Sequence, residues 1–108
     1  MVELLARMAF CYYNQPMRIE FDPAKNEINV RDRGLSFERA AQFDFNGAIV
    51  KQDTRKPYPE ARFVAIGLLD VRLHVLCFTP VEGGIRVISF RKANAREVRD
   101  HEQSRTTH

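Results

Sequence analysis

The sequence predicts an α+β domain in which helices pack on an antiparallel β-sheet, in the order β-α-α-β-β-β-β-α. Three observations predict it. Three segments rich in β-branched and aromatic residues, "RFVAIGLL", "VRLHVLCF" and "IRVISFRK", follow one another across joints short enough for antiparallel hairpins. Two helix starts are marked by capping residues, Asp22 before Pro23 and Ser36 before Phe37. The 108 residues suit one domain with one modest core.

Pro16 and Met17 mark a change of composition, so residues 1–16 are expected to be a poorly packed extension and 17–103 the domain. Arg18 to Phe21 alternates polar and apolar residues, as a short strand does. "PAKNEINVRDR" reads as a largely polar first helix that stops at Gly34. "FERAAQFDF" reads as a second helix, with Phe37, Ala40, Ala41 and Phe45 at helical spacing for the core. "AIVKQ" is a strand, and "DTRKPYPEA" is a loop broken by Pro57 and Pro59. After the three long strands, "ANAREVRDHE" forms a terminal helix, and residues 104–108 are expected to fray.

Composition narrows the function. Apolar residues make 44% and charged residues 29%, the balance of a globular chain and not of a disordered or membrane one. The formal charge of +3 permits a nucleic-acid partner without requiring one. Cys11 and Cys77 are far apart, and three scattered histidines offer no zinc spacing, so neither a metal nor another cofactor is expected. The opening residues carry Glu3 and Arg7 and lack the pattern of a signal peptide, which fits a reducing cytoplasm.

The hairpins allow a geometric inference. Turns centred near residues 70 and 82 set Arg62 across from Phe78, and Phe78 across from Arg86. The three would form one row, with Ile66, His74 and Phe90 in a second row on the same face. An arginine at a strand end is ordinarily solvated. Two guanidinium groups flanking an aromatic ring, however, suit a phosphate and a base. Arg91 and Lys92, just before the terminal helix, extend the anion site. Tyr58 and Glu60 could reach it from the proline-rich loop, although a solvated loop accounts for them equally. His74 reads as a core or edge residue, or as an acid–base group. No nucleophile elbow, phosphate loop or paired carboxylates are present. Cations suffice for one reaction class, cleavage of RNA by its own 2′-hydroxyl.

The stretches "RIEFDPAKNEINVRDRGLSFERAAQFDF", "ARFVAIG", "LHVLCFT" and "RVISFRKANAREV" resemble the BrnT toxins over about Met17 to Glu102. The resemblance implies a RelE-like fold and a ribonuclease toxin that cleaves RNA and arrests growth. It implies a BrnA-type antitoxin with a ribbon-helix-helix domain, a toxin–antitoxin heterotetramer, and operator DNA reached only through the antitoxin. Recurring family positions fall on Arg62 and Arg86, expected to neutralise the scissile phosphate, and on Arg91, Lys92 and Lys25, expected to hold the RNA backbone. Many members carry a histidine at the positions of Arg33 and Phe78. Its absence leaves open a non-catalytic subunit that acts with the antitoxin in operon autoregulation.

Overall fold

The structure is a computed structural model that describes residues 17–106; the N-terminal extension expected at 1–16 and the last two residues lie outside them. Five strands form one sheet in the order β1-β5-β4-β3-β2. They are β1 (Arg18–Glu20), β2 (Ile49–Asp53), β3 (Arg62–Leu69), β4 (Arg72–Val81) and β5 (Gly84–Lys92). Between β1 and β2 lie α1 (Pro23–Arg33) and a 3₁₀ helix (Phe37–Gln42), and α2 (Ala95–Thr106) closes the chain.

The sheet is mixed, which corrects the expectation of a wholly antiparallel one. β2 to β5 pair antiparallel, but β1 runs parallel to β5 through Arg18–Gly84, Ile19–Ile85 and Glu20–Arg86. Local turn signals set hairpin direction. No turn joins β1 to β5, so alternation in Arg18 to Phe21 could not reveal the sense of pairing. The approach is close: a Cβ on Gly84 would fall inside the backbone of Arg18.

The first helix has its predicted bounds. Asp22 accepts a hydrogen bond from the Ala24 N–H, Pro23 occupies the first turn, and Gly34 at φ 66° donates its N–H to Val30 O. Its buried contact is polar. Asn29 Nδ2 donates to Leu35 O and Phe90 O, both at 2.9 Å. Asn29 thus takes up an acceptor of β5 beyond the last residue that β1 pairs. Asn26 Oδ1 accepts from the Phe37 N–H at 2.7 Å and ties α1 to the next element.

That element is a 3₁₀ helix where an α-helix over "FERAAQFDF" was expected. Phe37, Ala40 and Phe43 are the buried residues, spaced by three, and Ala41 is exposed. Three residues per turn puts that series on one line, as 3₁₀ geometry requires. At the other end α2 continues to Thr106, past the expected end near residue 102.

The main core lies on one face of the sheet. Phe78, Phe90, Leu76 and Ile85 are fully buried there with Phe37, Ala40 and Phe43. Edge-on ring contacts link Phe43 to Phe90 and Phe45 to Phe78, and Phe63 stacks on Phe78. A smaller cluster of Leu73, Val75 and Ala93, flanked by Val64, Ile66 and Val98, lies under α2 on the opposite face. Replacing Gly84 by valine is expected to push β1 off β5 and cost about 1–3 kcal/mol, read as a lowered urea midpoint at unchanged slope.

Candidate functional site

The sheet face that carries α2 is covered only in part, and its open part collects the arginines. The register decides which. Both hairpins close through two-residue loops, Asp70-Val71 and Glu82-Gly83, with left-handed backbone at Asp70 and Gly83. Each turn centre is half a residue later than the sequence suggested. Phe78 therefore pairs with Phe63 and Val87, and Thr79 pairs with Arg86. Arg62, one step beyond Phe63, comes alongside Thr79, whose hydroxyl donates to Ala61 O.

The expected row is corrected accordingly. Arg62 and Arg86 do flank a common β4 residue, but it is the buried Thr79; Phe78 faces the core. Both hairpins slipped the same way, so the two shifts kept the arginines on one face. The second row does not form. The later first turn sets Ile66 against Val75 and Gly67 against His74, and a β-bulge between β4 and β5 at Cys77/Phe78 carries the rows on to Arg91 and Lys92, giving Ile66–Val75–Arg91 on the open face and Gly67–His74–Lys92 on the other.

Arg62 is held from the preceding loop. Its guanidinium lies 4.2 Å over the centre of the Tyr58 ring. The Tyr58 hydroxyl donates to Asp53 Oδ2 at 3.2 Å, and Asp53 also takes a forked pair of bonds from Arg55 at 2.8 and 2.9 Å. The hydrogen bonds from Arg55 hold the Asp53 carboxyl well below the usual range, and the same pairing raises Arg55. Asp53 and Arg62 are direct partners across β2 and β3. Arg62 Nε is buried and has no hydrogen-bond partner among the described residues.

Arg86 is half-open between two carboxylates, Glu20 Oε1 at 3.4 Å and Glu60 Oε2 at 3.6 Å. Glu20 is also bound to Arg18 at 2.7 Å. Arg91 is differently placed. Its two terminal nitrogens donate to both Glu97 oxygens at 2.7 and 2.9 Å. Glu97 Oε1 also accepts from the Asn94 N–H, and Asn94 Oδ1 accepts from the Glu97 N–H, a reciprocal cap on α2. The Arg91 hydrogen bonds hold the Glu97 carboxyl at about 2, and Arg91 is raised in return.

Other expected site residues lie elsewhere. Lys92 is exposed and pairs with His74 on the core side of the sheet. His74 is 4% exposed, with Nδ1 2.8 Å from Arg72 O and its ring against Phe90. Lys25 is exposed on α1. Neither the Arg33 nor the Phe78 side chain faces the row: Arg33 donates to Asn29 Oδ1 at 2.7 Å, and Phe78, next to Thr79, is fully buried in the core on the other side of the sheet. Sequence reasoning missed Glu20 and Asp53. The alternation of Arg18 and Glu20 showed that they share a face, but only the parallel pairing sets Glu20 beside Arg86.

A family model described as the ribonuclease toxin, BrnT, of type II toxin–antitoxin systems matches residues 21–97. The chain belongs to the BrnT family. No individually curated protein matches it. The BrnT match spans Arg62, Thr79, Arg86 and Arg91 and ends on Glu97, which caps α2. Membership implies an RNA substrate and an antitoxin partner. Among the described residues, no helix is long and apolar enough to cross a membrane.

The Glu97 cap makes a pH-dependent contribution. Its folded value of about 2 lies below the ordinary 4.5, so its stabilisation is present above about 4.5 and is lost as pH falls towards 2. Glu97→Gln is expected to melt earlier than the parent at pH 7, and the gap in Tm is expected to close between pH 5 and about 2. Circular dichroism melts across that range measure it.

Proposed function

We propose that this protein is a cytoplasmic endoribonuclease toxin that binds the scissile phosphate of RNA between Arg62 and Arg86. The observation that carries the reading is the buried, unpartnered Nε–H of Arg62, on a guanidinium fixed over Tyr58 and sharing Thr79 with Arg86. A buried donor without an acceptor is costly, and a phosphate oxygen would satisfy it. Two guanidinium groups would then offset the charge that builds up on phosphorus as the 2′-hydroxyl attacks. This chemistry needs no protein nucleophile, which suits a face that presents cations.

Arg91 serves the site indirectly in this reading. Its paired bonds to Glu97 set the start of α2, the wall of the open face. Lys92 and Lys25 are too far round the domain to join the Arg62–Arg86 row and would meet only outlying backbone. His74 takes no part, since it is buried on the other side of the sheet. The histidines carried by many BrnT members at the Arg33 and Phe78 positions would not face the row either, so their absence is compatible with cleavage. A RelE-like fold, a BrnA-type antitoxin with a ribbon-helix-helix domain, and repression of a shared operon by a heterotetramer complete the reading.

Tightly repressed expression tests it. The parent is expected to arrest growth and degrade RNA, with rescue by the antitoxin. Arg62→Ala and Arg86→Ala are each expected to slow cleavage by the purified protein about 10²–10³-fold, the usual effect of removing one charge-stabilising donor. Variants as toxic as the parent would refute the assignment. A folded parent that binds RNA and never cuts it would leave a regulatory subunit.

A further inference from the structure

Arginine cannot take a proton from a hydroxyl, so the ribonuclease reading, on which this inference rests, needs a separate proton acceptor. Among the described residues, four carboxylates approach the arginines of the open face. Asp53 is engaged by Arg55 and Tyr58, and its acidity is raised far beyond the ordinary. Glu97 is engaged by both Arg91 nitrogens and by the Asn94 N–H. A carboxylate so fully occupied is a weak base and has no lone pair aimed at a substrate. Glu20 is bound at 2.7 Å to Arg18 and lies on β1, on the side of Arg86 away from Arg62.

Glu60 remains. Its one ion pair among the described residues is the 3.6 Å contact with Arg86, and its side chain is 44% exposed. It lies two residues before Arg62, on a segment anchored by the Thr79 hydroxyl bond to Ala61 and by Tyr58 under Arg62. The groups around it are Arg86 and, through it, Glu20 on β5 and β1, Arg62 on β3, and Tyr58 in its own loop. Glu60 is thus the carboxylate on the approach to the gap between the two arginines.

We propose that Glu60 is the general base that takes the proton of the attacking 2′-hydroxyl. A phosphate seated between Arg62 and Arg86 displaces the long Glu60–Arg86 pair and leaves the carboxylate beside the adjoining ribose. The 2′-oxygen forms its bond to phosphorus as its proton passes to Glu60. The bond from phosphorus to the 5′-oxygen breaks, and water protonates the departing oxygen. The products are a 2′,3′-cyclic phosphate and a 5′-hydroxyl end. The hydroxide left by that water recovers the proton from Glu60, so no other reactant is consumed.

Single-turnover cleavage of a short RNA, with binding of its 2′-deoxy analogue measured in parallel, tests the assignment. Glu60→Gln is expected to lower the cleavage rate about 10²-fold or more, the usual worth of a general base. The same variant is expected to bind the uncleavable analogue as tightly as the parent or more tightly, because one negative charge is gone. Retained binding also shows that it folds. Glu60→Asp keeps the carboxylate and is expected to retain part of the rate. Glu20→Gln, which removes the competing carboxylate beside Arg86, is expected to lose far less of the rate than Glu60→Gln. A parent that cuts while Glu60→Gln cuts equally fast overturns the Glu60 assignment alone. A rate lost in Glu20→Gln, but not in Glu60→Gln, also overturns it. A parent that binds and never cuts overturns the ribonuclease reading, and Glu60 with it.

Discussion

Everything on this domain depends on the alternation of side chains along β4. The strand has neighbours on both sides, and its residues divide between two faces with no freedom to compromise. Leu76 and Phe78 go to the main core, while Leu73, Val75, Cys77 and Thr79 go to the opposite face. Burying Phe78 fixes Thr79 on the other side, and Thr79 carries Arg62 and Arg86 to either flank. The hydrophobic effect therefore sets the cation pair, although no apolar contact joins the two arginines. Reversing the register by one residue would expose Phe78 and push both charges into a core that could not solvate them.

That coupling explains why the sequence brought Arg62 and Arg86 together while mistaking the residue between them. Turn centres near residues 70 and 82 were half a residue early, since Asp70-Val71 and Glu82-Gly83 are the loop pairs. Cross-strand partners shift by a whole residue for each such error. Because Arg62 and Arg86 bracket the same strand, both moved from Phe78 to Thr79 together. The Ile66–His74–Phe90 row had no such protection: the later first turn alone moves Ile66 from His74 to Val75. The bulge at Cys77/Phe78 adds a residue on one side only, and nothing in the local residue types announces it. His74 lies with the core phenylalanines because it shares its side of β4 with Leu76 and Phe78.

Long-range pairing was the least legible part. The caps at Asp22 and Ser36 are local, and both are present as read. The parallel register of β1 with β5 spans more than sixty residues and has no turn chemistry to betray it. Glu20 reaches Arg86 only through that pairing. Asn29 belongs to the same class: a polar residue on a polar helix gives no sign that it will bond β5. A buried amide there suits the structure because α1 meets an unpaired strand edge, where an apolar side chain would leave a carbonyl unsatisfied.

The carboxylates then sort the arginines by how firmly each is held. The Arg91–Glu97 pair is short and forked, and its acid also caps a helix, so breaking it releases several groups at once. The pairs from Arg86 to Glu20 and Glu60 are long and half-exposed, of the kind that contributes about 0–1 kcal/mol. In the proposed reading, exchanging them for a doubly bonded phosphate costs little. Arg62 has no carboxylate to exchange among the described residues; it has an aromatic platform and a donor left unfilled. A net charge of only +3 gives little general attraction for nucleic acid. In the proposed reading, discrimination comes from this local contrast between two loosely engaged arginines and a third committed to Glu97 beside them.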